Sequence, residues 1–270
     1  MSIYKAELKR LLKPFLVWTL TMLAINILFM SLYPSILNSG YGDLIKAKID
    51  MLPDYLRKVF GVDMSMDFTD LLQYYGYTAQ MLQIGACVFA AILGASALAK
   101  EESEGTIELL YAQPVTRTKI VSTKLFSTLS ILIAFNVIIT ASSLIFLEAL
   151  KSPGYEYLTQ VLSFTYPMLL VQLAFWALGL GISSALSKQS IATPAATGLF
   201  FVTYILGTFS QLTPDTGWMK YLSPYHYAVP SSILQEGGKA DALLMVLLAV
   251  YVFIGVGTAY SYYLRKNMKI

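Results

Sequence analysis

The sequence predicts an all-α integral membrane protein with six transmembrane helices. Three observations predict it. Of 270 residues, 56% are hydrophobic and 13% charged, with a mean hydropathy of +0.61, whereas a soluble domain carries about 25% charged residues. Six apolar segments reach the roughly 20 residues that a helix needs to cross a bilayer core: 15–33, 78–99, 125–147, 159–186, 191–212 and 242–264. None of the six contains an Asp, Glu, Lys, Arg or His.

Residues 1–14 read as an amphipathic elbow helix. Ile3, Leu8, Leu11 and Leu12 can lie on lipid while Lys5, Lys9, Arg10 and Lys13 face water or phosphate. Pro14 is expected to break this helix before span 1. Besides anchoring the chain, the elbow could touch a cytoplasmic partner. Span 1 is too long for a signal-peptide core, and no small-residue cleavage site follows, so it reads as a retained anchor.

The outer loop 34–77 carries its own helical signals. Pro53 suits a first helical turn and Gly61 a C-cap, with Leu56, Val59 and Phe60 on one face. Asp67 can cap a turn containing Phe68, Leu71 and Leu72. The loop is too short for a core of its own, so interfacial helices are expected there. The second large outer loop, 213–241, sets Trp218, Tyr221, Tyr225 and Tyr227 among prolines, the aromatic signature of a membrane–water interface. His226 reads as an interfacial residue. Whether this loop re-enters the bilayer stays open.

Orientation follows from the cations. With the N-terminus in the cytoplasm, twelve of the nineteen Lys and Arg lie inside and eleven of the sixteen acids lie outside. Both biases put the two termini in the cytoplasm of a multi-pass plasma-membrane protein.

Several function classes are excluded. A charge at the bilayer centre is costly and normally functional. Its absence from every span argues against an ion-coupled carrier and against an intramembrane hydrolase, so energy for uphill transport would enter from outside the bilayer. The single cysteine, Cys87, and the single histidine admit neither a disulfide framework nor a zinc motif. No catalytic, cofactor-binding or metal-binding residue is expected on this chain, and no nucleic-acid partner. Within the spans, Asn26, Gln83, Asn136 and Gln172 are hydrogen-bonding groups, and Ala86, Ala90, Gly94 and Gly179 allow close helix approach. Pro167 and Pro194 interrupt spans 4 and 5 and are expected to kink them.

The loop 100–124 holds the densest charge. Glu101, Glu104 and Glu108 share a helix face at i, i+3 and i+7, and Leu109 and Leu110 form an apolar tip. Pro114 ends that helix. Thr116 can cap a new one carrying Lys119 and Lys124 into span 3. On physical grounds alone, a docking surface and a plain connection are balanced.

The run EESEGTIELLYAQPVTRTKI resembles the signature of type-2 ABC exporter permeases. Glu102, Glu104, Gly105, Thr106, Glu108, Leu109, Leu110, Pro114, Val115, Thr116 and Arg117 carry the resemblance. Weaker likeness extends through LPDYLRKVFG, LSPYHYAVP and the closing YLRKNMKI, and so over essentially the whole chain. The resemblance implies a permease with no ATPase of its own, paired as a homodimer or heterodimer in the lipid bilayer. Each copy docks a cytoplasmic ABC ATPase subunit that binds ATP and Mg. The helix after span 2 would be the coupling helix, with Glu101 added to the residues above as the docking surface. The chain has no GxxxxGK[ST] phosphate loop, as that division of labour requires. Charge-free spans suit an amphipathic or hydrophobic cargo such as a peptide, antibiotic or toxin. An ATP-independent carrier or channel, and a non-transporting anchor for an ATPase, are the alternatives.

Overall fold

The computed structural model describes residues 3–38, 41–62, 66–103, 115–235 and 237–266, all but 43, 60 and 101 with their side chains. Nine α-helices lie among them: α1 (Ile3–Asn38), α2 (Tyr41–Asp50), α3 (Asp54–Phe60), α4 (Leu71–Ser103), α5 (Arg117–Leu150), α6 (Leu158–Ala185), α7 (Gln189–Phe209), α8 (Pro230–Gln235) and α9 (Ala242–Arg265). Two 3₁₀ turns, Pro214–Leu222 and Pro224–Tyr227, precede α8. No strand occurs among the described residues. α1, α4, α5, α6, α7 and α9 are long and apolar enough to cross a membrane. The long helices are the solution hydrocarbon imposes, because each backbone group finds its partner within its own segment.

α4 and α6 form the centre of the bundle, with α9 on the other side of α6, α1 against α5, and α7 against α4. Small residues set this arrangement. A Cβ added at Gly94 would lie 2.1 Å from the Trp176 carbonyl oxygen, and one at Gly179 would lie 2.5 Å from that of Ala91. Two helix backbones therefore touch where Gly94 and Gly179 face one another, as the sequence suggested. Gly255 of α9 repeats the device 2.3 Å from the Ala177 carbonyl. In lipid, where apolar side chains gain nothing by leaving solvent, such close contact drives association.

Pro14 does not break the first helix. α1 runs unbroken for 36 residues with both Pro14 and Pro34 inside it. Proline forfeits one hydrogen bond, here to the Arg10 carbonyl, and a long helix continuing into an apolar segment tolerates that loss. Pro167 and Pro194 likewise lie within α6 and α7.

The face opposite the chain termini, called here the far face, is built from the connections. α3 ends at Gly61, whose φ of 64° is left-handed as a C-cap glycine requires. Asp67 caps its own short turn, accepting from the Thr69 amide at 2.8 Å. Asp70 takes the capping role for α4, accepting from the Gln73 amide at 2.9 Å. That cap starts α4 seven residues before the predicted span at 78. Tyr155 clamps the same carboxylate, donating to Asp70 Oδ2 at 2.7 Å. Burial, and then this bond to a carboxylate, push the Tyr155 phenol well above its ordinary range. α2 was not anticipated, because its ten residues show no apolar run.

The aromatic loop 213–241 divides in two. Trp218 and Tyr221 are exposed, as at an interface, whereas Tyr225 and Tyr227 are buried. The Tyr225 hydroxyl donates to the Gln80 carbonyl at 3.0 Å, and Ser231 Oγ lies 2.7 Å from Gln80 Oε1. This stretch thus folds back into protein, where an irregular backbone can be satisfied. His226 turns inward with it. Its Nδ1 lies 2.8 Å from Ser223 Oγ, and its ring packs beside Tyr204 and Tyr225. The space comes from Gly207, where a Cβ would sit 2.1 Å from that nitrogen. The expectation of an interfacial histidine is corrected accordingly: a glycine on another helix admits the ring, and such a pairing leaves no local trace in the sequence. Burial lowers the His226 pKa to about 4.

Candidate functional site: the helix ends around the 104–114 loop

α4 carries Glu101 and Glu102 in its last turn and ends at Ser103. The chain is described again at Val115. Thr116 is the N-cap of α5, in extended conformation, with its hydroxyl accepting from the Lys119 amide at 3.3 Å. The predicted cap is therefore present, and it satisfies one of the four free amides at the helix start.

Beside these two helix ends lies the end of α9. The Lys266 ammonium donates to Glu102 Oε2 at 2.7 Å and to the Leu186 carbonyl at 3.0 Å. Arg117 Nη1 donates to the Lys266 carbonyl at 2.9 Å and to the Leu264 carbonyl at 3.3 Å. The electrostatics are coherent. The last carbonyls of a helix lack intrahelical partners and carry partial negative charge. Lys266 answers that need at Leu186, the C-cap of α6, and Arg117 answers it at the end of α9. Glu102 has the opposite problem, an anion on the last turn of α4, and the Lys266 cation offsets it. The Glu102 side chain is only 5% exposed, and its Oε1 is buried without a hydrogen-bond partner.

A second ion pair stands nearby. Lys124 of α5 is 2% exposed and lies 3.3 Å from Glu7 Oε1 of α1. Arg10 approaches the same oxygen at 3.6 Å. Tyr4 and Ser130 are joined at 2.8 Å, which fastens the start of α1 along α5.

Of the residues in the loop motif, the structure brings Glu102 and Arg117 to one junction through Lys266. Thr116 is a cap, and Val115 packs against the core around Ile120. Glu101 belongs to the helical part of α4. Glu104, Gly105, Thr106, Glu108, Leu109, Leu110 and Pro114 lie outside the described residues. Sequence reasoning missed Lys266 and the Leu186 carbonyl. It counted Lys266 only as one cation among three at the C-terminus.

Halfway along the helices, three of the four predicted span amides meet. Asn136 Nδ2 donates to Gln172 Oε1 at 2.7 Å, Gln172 Nε2 to Gln83 Oε1 at 2.9 Å, and Gln83 Nε2 to the Met168 carbonyl at 3.0 Å. They border a cavity of about 40 Å³ between α1, α4, α5 and α6, room for an ordered water or two. Asn26 instead donates to Ser142 and Ser143 of α5 at 2.8 and 3.1 Å. A wider cleft of about 580 Å³ opens at the far face beside Asp70, Gln73, Tyr155, Gln160 and Gln235. Among the described residues, no group of three or more His, Cys, Asp or Glu side chains is placed to hold a metal.

Six membrane-crossing helices with ion pairs at both ends of the bundle, Glu102–Lys266 and Glu7–Lys124 on the side of the termini and Asp54–Arg57 and Glu148–Lys151 at the far face, define a multi-pass membrane protein. The family model for ABC-2 family transporter proteins matches residues 1–268. The chain therefore belongs to the ABC-2 transporter family and is a membrane permease of an ABC transporter, the transmembrane component rather than the catalytic one. No curated protein matches the chain significantly.

Proposed function

We propose that this permease works in an ATP-driven exporter. It would pair with a second permease copy and dock a separate cytoplasmic ATPase subunit through the 100–124 loop. ATP and Mg are bound, and ATP is hydrolysed, on that subunit. Both termini and the loop face the cytoplasm, and the membrane is the plasma membrane. The cargo is amphipathic or hydrophobic.

The observation that carries this reading is the placement of charge. The spans contain none, while the two roots of the loop are held by ion pairs and charge-assisted bonds at one junction. An energy source outside the bilayer needs such a rigid lever, and family membership supplies the chemical context.

Reconstitution tests it. The purified chain should not hydrolyse ATP. Co-expressed with a nucleotide-binding subunit encoded beside it, it should co-purify with that subunit and sustain hydrolysis. Turnover by the isolated chain, or failure of the two proteins to associate, would count against the proposal. Single cysteines at Thr118 and Ser152, on opposite faces, test orientation, since Cys87 is buried. An impermeant reagent applied to intact cells should label position 152 and spare 118.

A further inference from the structure

We propose that Lys266 is a positioning residue for the 104–114 loop. It ties the end of α4 and the start of α5 to the ends of α6 and α9, so that none of these helix ends shifts without carrying the others. The proposal deepens the reading above and rests on it.

Four helix ends converge on this one residue. The end of α4 reaches its side chain through Glu102 at 2.7 Å. The end of α6 reaches the same ammonium through the Leu186 carbonyl at 3.0 Å. The start of α5 reaches its backbone through Arg117 at 2.9 Å. Lys266 is itself the C-cap of α9, its amide donating to the Tyr262 carbonyl. The described residues on either side of 104–114, the end of α4 and the start of α5, therefore share a single fixed point.

The junction is stiff for stated reasons. Charge-assisted hydrogen bonds are about twice as strong as neutral ones. The Glu102 side chain is 5% exposed, and its second oxygen has no hydrogen-bond partner. Separation from Lys266 would strand a desolvated anion, which disfavours any motion that pulls them apart. A displacement at this point passes along the helices because their backbones touch. Gly255 of α9 abuts Ala177 of α6, and Gly179 of α6 abuts Ala91 of α4. α1 joins the set through α5, by Glu7 and Lys124, and through α4, where the Tyr74 hydroxyl donates to the Phe29 carbonyl.

The test uses the full-length permease assembled with its nucleotide-binding subunit in lipid nanodiscs. The readouts are subunit stoichiometry and the permease-dependent part of ATP hydrolysis. Lys266→Met should co-purify at the wild-type ratio yet lose that permease-dependent part. Lys266→Arg, which keeps the cation, should recover most of it. A purely structural role would give the opposite split, with assembly and hydrolysis falling together. Should methionine at 266 prevent folding, Lys266→Gln carries the same test with a polar side chain. Wild-type hydrolysis in the neutral variants overturns the role of Lys266 and leaves the permease reading intact. A wild-type pair that neither assembles nor hydrolyses overturns the proposed docking of an ATPase subunit, and this proposal with it.

Discussion

Glu7 and Lys124 stand 117 residues apart in sequence and meet at 3.3 Å, the lysine almost completely enclosed. The pair fixes the elbow segment of α1 to the start of α5. Removing one member of a buried pair destabilises by on the order of 3 kcal/mol, because the other charge stays desolvated. We expect Glu7→Gln and Lys124→Met each to lower the melting temperature of the detergent-solubilised protein. The double variant should melt near the worse single variant, since the two act as one unit. Additive losses would mean that the two charges act independently.

The glycine contacts lead to a second expectation. Gly179→Ala places a methyl 2.5 Å from the Ala91 carbonyl oxygen, and backbone cannot give way as a flexible side chain can. α4 and α6 must separate, so the variant should be markedly less stable or fail to accumulate. Gly198→Ala, on the exposed side of α7 with nothing within 4 Å, is the control. There the substitution should be neutral, or stabilising by up to about 1 kcal/mol from helix propensity. Comparable melting of both variants would show that the α4–α6 contact is looser than described.

His226 predicts an acid limb. Burial lowers its pKa to about 4 from an unfolded value near 6.5, so the folded protein holds this ring neutral. A group with a depressed cationic pKa contributes stability that is complete above pH 6.5 and is lost as pH falls toward 4. Melting temperature should therefore decline across that window. His226→Gln should flatten the decline, and the chain has no other histidine to confound it. An unchanged slope in the variant would assign the acid limb to carboxylates.

The tip of the loop belongs to the proposed docking function. If Leu109 and Leu110 fill an apolar groove on the ATPase, Leu110→Asp drives an unpaired charge into that contact, at a cost of several kcal/mol. The two proteins should then no longer co-purify. Glu108→Ala should weaken association less, as expected of a solvated rim pair contributing roughly 0.2–1 kcal/mol. Gly105→Val should leave the complex assembled but uncoupled. Full co-purification and normal transport by Leu110→Asp would reduce the loop to a linker.

The class, the six spans and the cap at Thr116 are legible in the sequence. Those features are local: a span must satisfy its own backbone in hydrocarbon, so composition over about 20 residues reports it. The cap needs only the four residues from Thr116 to Lys119. The sequence also points to Gly94 and Gly179, because small residues inside an apolar span have few other uses. Which partners meet is set by the packing of the helices. Lys266 is 164 residues from Glu102 and 80 from Leu186, and nothing local distinguishes it from Arg265 or Lys269. His226 turns into the bundle because Gly207, on a different helix, lacks a side chain. Pro14 passes through a helix because the segments on both sides are long enough to hold it. For Lys266 and His226 the deciding energy is a contact between distant segments, and one-dimensional pattern carries no record of such contacts.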